Sequence, residues 1–241
     1  MSDSPPDHWF EPLADHLGAA YLRYSFTKGT DQEVAFLFDE LSLRPGARLL
    51  DVGCGPGRHA HAFAARAVEV VGIDIAQRFI DVATASAADC ERTRFLRLDA
   101  RELPFDDEFD AAISLCQGAF GLVGPGDDEA VLRGIARALK AGGRFAISAF
   151  SSYFQVRYPH QRGSFDVSTG LHHEHTVIKD EGGVEAAAEL WTTCDTAREL
   201  RLLLERAGLV VDDVWSVEPG KYDRTPPTIE SPELLVVGHK A

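Results

Sequence analysis

The stretch LLDVGCGPGRHA, residues 49–60, decides the fold. It opens with a short apolar run of the kind that forms a buried strand, interrupted by Asp51. Gly53, Gly55 and Gly57 follow at alternate positions and lead into a helix-forming segment. Glycine accepts positive φ and lets the backbone approach a ligand closely, while a helix N-terminus offers unpaired N–H groups. The stretch therefore predicts a strand, a tight turn and a helix that together bind a nucleotide-type cofactor.

The sequence after this stretch continues to alternate short β-rich apolar runs with helical spacing. Such alternation is typical of βαβ units around a parallel sheet, so we predict an α/β fold with a doubly wound, Rossmann-like sheet. The predicted strands one to five cover residues 48–52, 68–73, 93–97, 109–115 and 144–149, and the predicted helices between them cover residues 60–67, 77–88 and 127–139.

The regions on either side of this core have a different texture. Thr30 and Glu33 have the spacing of a capping box that opens a helix over residues 34–41, within an N-terminal helical flap. Alternation on both sides of residues 180–183 predicts an antiparallel hairpin in an insertion after strand five.

A second capping box, Thr196 with Glu199, opens the last predicted helix, which ends at Gly208. The last two predicted strands cover residues 209–216 and 234–237. A chain of 241 residues is long enough for one sizeable core. We therefore predict a single domain over residues 1–241, divided into the flap (1–45), the cofactor-binding core (46–150), the substrate-side insertion (151–195) and the last helix and strands (196–241).

Composition excludes several classes of protein. The formal net charge of −14 gives a surface that repels nucleic-acid backbones. We interpret the densest basic cluster as the solvent face of a strand; it comprises Arg92, Arg94, Arg97 and Arg101. There is no signal-peptide pattern, no apolar stretch long enough to span a membrane and no CxxC pair, so we expect a cytoplasmic protein with reduced cysteines that binds neither nucleic acid nor membrane.

Three acidic residues stand where a cofactor would meet the strand ends. Asp51 precedes the first glycine, where its carboxylate can receive an ammonium group or orient the loop. Asp74 ends strand two, where a carboxylate can bridge two ribose hydroxyls. Asp99 follows strand three, in position to accept a hydrogen bond from an adenine amino group, and Ile75 and Ala100 add an apolar rim for the ring.

With these residues the chain resembles the class I S-adenosylmethionine-dependent methyltransferases. The matching pieces are LLDVGCGPGRHA, VVGIDIA, FLRLDARELPFDDEFDAAIS and ALKAGGRFAIS, in the expected order over residues 46–150. The resemblance implies a seven-stranded sheet whose last strand is antiparallel, and S-adenosylmethionine as the cofactor. The same resemblance implies that the methionine part of the cofactor is held by Asp51, Gly53, Gly55 and Gly57, the ribose by Asp74, and the adenine by Asp99 and Ala100. It also implies that Cys116 and Gln117 line the loop after strand four. Tyr21 and Tyr24 of the flap are expected to reach the cofactor's carboxylate.

Two other functions stay open at this point. A nicotinamide-dependent oxidoreductase also carries three glycines and a later acid, but its fingerprint has two residues between the last two glycines, whereas Pro56 alone stands there in this chain. The other alternative is a cofactor-binding protein without catalysis, which would use the flap and the insertion as a partner surface.

The methyl acceptor is predicted to be a small molecule with an N, O or C nucleophile. The segment after strand four reads SLCQGAF, without the Asn- or Asp-Pro-Pro-aromatic tetrad that accompanies methylation of base amino groups in related families. No cysteine follows a proline, which argues against the RNA C5-type enzymes. As partners we expect this acceptor and, as one option, a second copy of the chain in a homodimer.

Aromatic and histidine residues near the strand ends are the candidates for binding the acceptor. The predicted substrate-binding residues are Phe120, Tyr153, Tyr158 and His172, and the candidate catalytic residues are His172, His173, His175 and Tyr24. On a strand His173 and His175 share one face, so two imidazoles could hold a metal, but the spacing places no third ligand. We therefore predict no metal site, and a solvated or structural role for these histidines unless one serves as a general base.

Overall fold

The N-terminal region is helical. The computed structural model describes residues 6–87, 91–116, 118–122, 124, 126–159 and 163–241. Helix α1 spans Phe10–Leu17, two short 3-10 helices span Gly18–Arg23 and Ser25–Gly29, and α2 spans Thr30–Glu40. The predicted N-terminal helical flap is thus present.

The capping box predicted at the start of α2 is wrong. Gly29, not Thr30, precedes the helix, and no side chain caps it. Glu33 is fully buried, and its carboxylate accepts hydrogen bonds from Arg58 and His59 instead of from the helix start. A non-local ion pair has therefore replaced the local bond that the spacing predicts.

The core alternates strands and helices as the sequence predicts. Its elements are β1 (Arg48–Val52), α3 (Arg58–Ala64), β2 (Glu69–Asp74), α4 (Gln77–Ser86), β3 (Thr93–Arg97), β4 (Phe109–Ser114), α5 (Asp128–Ala138) and β5 (Leu139–Ser151). All five strands are parallel, and β1 lies between β2 and β4. Because the order of strands reverses there, a crevice opens at the carboxyl ends of β1 and β4.

Both faces of this sheet are buried, which explains the nearly continuous apolar runs. Leu50 and Ala112 pack in one hydrophobic cluster, with α5, while their neighbours Leu49, Ala111 and Ile113 pack in a second cluster on the opposite face. Burying one such leucine contributes about 1.5–3 kcal/mol. The sheet therefore forms a rigid base for the loops at its carboxyl edge.

The insertion after β5 forms a small antiparallel sheet. It contains α6 (Ser152–Arg157), β6 (Gly163–Asp166), β7 (Leu171–Lys179) and β8 (Glu185–Asp195). The predicted hairpin is the β7–β8 pair, and β6 adds a third strand beside β7. At its base, β8 pairs in parallel with the end of β5 through Phe150 with Cys194 and Ser151 with Asp195. The insertion is thereby joined to the core sheet.

The last elements complete the sheet. They are α7 (Ala197–Arg206), β9 (Leu209–Val217) and β10 (Glu233–Lys240). The Thr196–Glu199 capping box is confirmed, with reciprocal hydrogen bonds of 3.2 and 2.7 Å. Strand β10 lies between β5 and β9 and is antiparallel to both, so the core sheet has the order β3-β2-β1-β4-β5-β10-β9. Within the described residues, no helix is both long and apolar enough to cross a membrane.

Candidate active site

The glycine loop after β1 packs directly against the loop after β4. Gly53, Gly55 and Gly57 have φ values of 73°, 53° and 80°. A Cβ on Gly53 would lie 1.9 Å from the carbonyl carbon of Gly118, so no other residue fits there. A Cβ on Gly55 would have no neighbour closer than 4.0 Å. Glycine is thus required at position 53 by packing and at position 55 by backbone conformation alone.

Asp74 joins the glycine loop to the end of β2. Its side chain is buried, and its oxygens accept hydrogen bonds from the backbone N–H of Gly55 at 2.9 Å and of Ala76 at 2.8 Å. Burial raises the pKa of this carboxyl to about 6 although both N–H groups lower it. Each carboxylate oxygen can accept a further hydrogen bond, so Asp74 can bind a ligand while it holds the loop.

Asp51 carries a buried oxygen that lacks a partner. The residue is 2% exposed, and its Oδ2 accepts no hydrogen bond from any described residue. Burial raises the pKa of the carboxyl to about 7; the neighbouring Asp74 raises it further and Arg58 lowers it. A buried carboxylate without a partner is costly, so this position favours a ligand that brings a donor or a positive charge.

Asp99 and Arg101 form a paired group after β3. Asp99 caps the short 3-10 helix Ala100–Glu102 and receives the Arg101 guanidinium on both oxygens, at 2.6–3.0 Å. Burial raises the pKa of Asp99, but the bonds from Arg101 outweigh it and leave the pKa below its usual range. Arg101 also reaches Asp127 and Asp7. The interpretation of Arg101 as part of a strand's solvent face is therefore wrong, because Arg101 lies after β3 and its side chain lines the crevice.

A cavity of about 310 Å³, hereafter the cleft, lies beside these acids. The flap covers it: Trp9 and Phe10 line the cleft, and the indole N–H of Trp9 donates to the carbonyl of Leu122 at 2.9 Å. Among its other lining residues are Gly53, Asp74, Ile75, Asp99, Ala100, Arg101 and Gly118.

A second cavity of about 540 Å³, hereafter the chamber, lies between the flap, the insertion and the end of β5. Its walls are mostly aromatic and aliphatic. They include Phe10, Leu13, Leu17, Tyr21, Tyr24, Phe26, Phe150, Phe154, Ile178 and Leu190. A small third cavity, about 30 Å³, lies beside the glycine loop and shares Gly53 and Gly118 with the cleft and Tyr21 and Cys116 with the chamber. The three cavities are thus adjacent parts of one groove.

Cys116 lies at the junction of chamber and loop. It adopts a positive φ of 50°, which is unusual for a residue with a side chain. The Arg58 guanidinium donates to its sulfur at 3.0 Å and to the Glu33 carboxylate at 2.5 Å. Burial raises the pKa of the Cys116 thiol to about 12, so it stays protonated at neutral pH. Arg58 thus links the Cys116 side chain to the buried Glu33 carboxylate.

Comparisons with known proteins show the family of this chain. A family model described as "Methyltransferase domain" matches residues 49–143. The cypemycin N-terminal methyltransferase of a Streptomyces species is 30% identical over 208 residues, which are 80% of this chain and 82% of that protein. The chain belongs to the class I S-adenosylmethionine-dependent methyltransferases. S-adenosylmethionine is its cofactor.

Two further comparisons define the extent of the likeness. The CcbJ methyltransferase from Streptomyces caelestis shares the fold of this methyltransferase, with a TM-score of 0.77 and 16% identity over 96% of each chain. A demethylmenaquinone methyltransferase of Clavibacter sepedonicus is 36% identical over 109 residues, which are 44% of this chain and 42% of that relative. The match to the latter thus spans less than half of either chain.

The methyltransferase brings together most of the residues that the sequence predicts for the cofactor. Those that line the cleft or the small cavity are Gly53, Gly55, Asp74, Ile75, Asp99, Ala100, Tyr21 and Cys116. Gly57 precedes α3, and Asp51 lies beneath the loop; neither lines these cavities. Tyr24 lines the chamber. Gln117 lies outside the described residues.

The residues predicted for the acceptor divide into two groups. Tyr158 and His172 line the chamber. Phe120 is 1% exposed and packs in the hydrophobic cluster that also contains residues of α5. Tyr153 is 55% exposed and lies in a separate surface depression with Thr196. The structure does not place Phe120 and Tyr153 at the chamber.

The histidines of β7 lie on opposite faces, as the strand period predicts. His172 faces the chamber, whereas His173 stacks on Trp191 at 3.5 Å and lies with His175 beside Glu189. Ligand atoms of His173, His175 and Glu189 lie within 4.8 Å of one another. The spacing along β7 alone could not show this third side chain, which comes from the neighbouring strand; the absence of a metal stays a prediction.

Several residues of the site were missed from the sequence. Gly118 had a detectable signal, since a glycine directly after a strand-end loop often marks a close backbone contact. Trp9 and Phe10 had a weak one as aromatic residues in a flap. Arg58 and Glu233 had none, because their roles depend on contacts with distant parts of the chain.

Proposed function

We propose that this methyltransferase transfers a methyl group to an apolar small molecule held in the chamber. The observation that carries the proposal is that a largely apolar chamber of about 540 Å³ adjoins the cleft: Trp9, Phe10 and Leu122 line both. A concave apolar site with few polar groups is typical of small-molecule binding. The relative from Clavibacter sepedonicus, a demethylmenaquinone methyltransferase, supports an acceptor of this class.

The residues of the cleft fit S-adenosylmethionine. In this proposal Asp74 receives the ribose hydroxyls, and Asp99, with Ile75 and Ala100, receives the adenine. The unpartnered Oδ2 of Asp51 fits the demand of the methionine ammonium group for a negative charge nearby. The remaining contacts to the methionine part come from Gly53 and Gly55 of the glycine loop, Tyr21 of the flap and Cys116 of the loop after β4, which line the cleft or the small cavity.

The bound cofactor supplies a methyl group activated by a positively charged sulfur. The chain's own task is to align the acceptor with that methyl group and to keep water out. Alignment alone can contribute about 7–11 kcal/mol in favourable cases. The flap residues Trp9 and Phe10, which line both cleft and chamber, are placed to exclude water from both.

The charges of the chamber restrict the acceptor. Among the described residues that line it there is neither lysine nor arginine, whereas Glu174 and Glu233 contribute carboxyl groups. A carboxylate or phosphate on the acceptor would therefore be desolvated beside two carboxyl groups and without a lysine or arginine as counterion, at a cost of several kcal/mol. We infer that the acceptor is neutral or cationic.

Ligand-induced stabilisation tests the cofactor. We expect S-adenosylhomocysteine to raise the melting temperature, because a ligand that binds the folded state alone stabilises it by RT ln(1 + [L]/Kd). NAD at the same concentration should leave it unchanged. The opposite result would favour the nicotinamide-dependent oxidoreductase. Transfer of tritium from S-[methyl-³H]adenosylmethionine to neutral or cationic aromatic acceptors then distinguishes a methyltransferase from a non-catalytic cofactor-binding protein.

Asp74→Ala should weaken the binding of S-adenosylhomocysteine about 10- to 100-fold, the loss expected for a hydrogen bond to a charged group. Isothermal titration calorimetry measures this change. Asp81→Ala, on the exposed side of α4, is the matched control and should bind normally. Equal affinities of the two variants would contradict the ribose assignment.

A further inference from the structure

The antiparallel strand β10 brings its first residue to the reactive edge of the sheet. The parallel strands end at their carboxyl edge, where cleft and chamber lie, and an antiparallel neighbour must begin there. Glu233 is this first residue, and it pairs with Phe150 near the end of β5. Both residues line the chamber. The strand order therefore places a carboxyl group at the chamber.

One carboxyl oxygen of Glu233 is buried without a hydrogen-bond partner in the described part of the chain. The residue is 3% exposed, and its Oε1 has no hydrogen-bond partner among the described residues. Cys116, which lines the same chamber, also lines the small cavity beside the glycine loop. The backbone N–H of Cys116 donates to the Ser148 hydroxyl at 2.8 Å, and the Ser148 side chain and this N–H both lower the pKa of the Glu233 carboxyl. This carboxyl group thus lies close to Cys116, where the chamber meets the small cavity beside the glycine loop.

The groups around Glu233 set its protonation. Burial raises the pKa of its carboxyl to about 7; Ser148 and Arg58 lower the pKa, and the Glu33 carboxylate raises it. Cys116 and Tyr222 also face this carboxyl, and both have pKa values raised by burial. The other titratable residues of the chamber are Tyr21, Tyr24, Tyr158, His172 and Glu174.

We propose that Glu233 is the general base for an acceptor whose nucleophile is an amine or a hydroxyl group. This rests on the proposed function of the chamber. The acceptor's nucleophilic atom bonds to the methyl carbon while the carbon–sulfur bond breaks, and the electron pair of that bond stays on sulfur. The proton of the acceptor passes to the free oxygen of Glu233 and then to solvent.

Other side chains near the junction are less suited to take a proton. The thiol of Cys116 and the phenol of Tyr21 both have pKa values raised by burial, so at neutral pH they already carry their protons. His173 and His175 lie on the opposite face of β7 from the chamber. Glu233 combines a buried position, an available oxygen and a pKa near neutrality, which is the range in which a general base works best.

A titration without acceptor tests the location of Glu233. The full chain carrying ¹³C-labelled glutamate and aspartate is titrated by NMR with S-adenosylhomocysteine bound, and again with sinefungin, which has a protonated amine in place of the methylsulfonium group. A positive charge within about 4–6 Å lowers a carboxyl pKa by about 1–3 units. We expect the Glu233 pKa to be lower by about one unit or more with sinefungin. Glu233→Gln identifies the signal.

Asp195 is the matched internal control. It is buried, its pKa is also raised to about 7 by burial, and it lines a surface depression away from the chamber. Its pKa should be the same with both ligands. Equal Glu233 pKa values in the two complexes would overturn the proposal, whereas failure of both ligands to bind would instead contradict the proposed cofactor site.

The reaction supplies the second readout. With an aromatic amine or phenol that accepts tritium, Glu233→Gln should lower kcat about 10²- to 10⁴-fold with little change in KM. The acidic limb of the kcat–pH profile, expected near pH 7, should disappear in Glu233→Gln and persist in Asp195→Asn. A Glu233→Gln variant that binds S-adenosylhomocysteine normally and keeps both kcat and this limb would exclude the base role.

Discussion

Gly53→Ala is expected to destabilise the protein by about 2–5 kcal/mol, which combines a left-handed backbone cost of about 1–2 kcal/mol with an overpacking cost of about 1–3 kcal/mol. The overpacking arises because the new Cβ would lie 1.9 Å from the carbonyl carbon of Gly118. The two loops must separate to accommodate it, so binding of S-adenosylhomocysteine should also be lost. Urea unfolding measures the first effect and calorimetry the second.

Gly46→Ala separates the two contributions. Gly46 has a φ of 84°, and a Cβ there would meet no atom of the described residues within 4 Å, so only the backbone cost of about 1–2 kcal/mol applies. If the two variants were equally stable and both bound S-adenosylhomocysteine, the contact between Gly53 and Gly118 would have no structural importance.

Glu33→Gln should destabilise the folded state by about 3–5 kcal/mol, because it leaves a buried charge without its counterion. Glu33 is fully buried and accepts hydrogen bonds from Arg58 at 2.5 Å, His59 at 2.8 Å and the backbone N–H of Gly220 at 2.9 Å. The glutamine keeps the size of the side chain but not its charge. Since Arg58 also contacts Cys116, the loop after β4 should lose order together with stability.

The difference in stability between the wild type and Glu33→Gln depends on pH, and the Glu33 pKa determines this dependence. Burial raises that pKa, but the bond from His59 and the Arg58 charge outweigh it and lower it to about 2 from the ordinary value of 4.5. The carboxylate therefore contributes its full stability above about pH 5, and the contribution is lost as the pH falls through the folded pKa. The gap between the wild type and Glu33→Gln, measured by urea unfolding, should shrink from pH 6 to pH 2.5.

A surface pair supplies the control for Glu33. Glu218 and Lys221 form an ion pair at 3.1 Å, with side chains 53% and 71% exposed. Such pairs contribute about 0–1 kcal/mol, so Glu218→Gln should have little effect at any pH. If Glu33→Gln lost as little stability as Glu218→Gln, the buried network would contribute no more than a surface ion pair.

The features that were predictable from the sequence are local ones. The three glycines lie in one strand–loop–helix unit, and each acid lies at the end of its own strand. Their order along the chain therefore fixes their order in space. This is why Asp74 and Asp99 could be predicted to lie at one edge of the sheet, and why the Thr196 capping box is confirmed.

The features that were missed depend on contacts between distant segments. The Thr30–Glu33 spacing is that of a capping box. The Glu33 carboxylate instead accepts hydrogen bonds from Arg58 and His59, which lie 25 and 26 residues away along the chain. Phe120 is an aromatic residue after strand four, which favours a position in the pocket, yet packing with α5 places it in the core. The resemblance implies an antiparallel last strand, but it does not indicate that Glu233 at the start of β10 lines a chamber, because the other walls come from the flap and the insertion.

The flap contacts both cavities, and this has a kinetic consequence. Trp9 and Phe10 line the cleft and the chamber, and Trp9 is tied to Leu122 by a hydrogen bond. With the cofactor in the cleft and the acceptor in the chamber, as we propose, S-adenosylhomocysteine and the methylated product would both depart past residues 9–10. We expect their dissociation rates to share one opening event, so that catalytic turnover responds to the stiffness of residues 9–10 even where the chemical step does not.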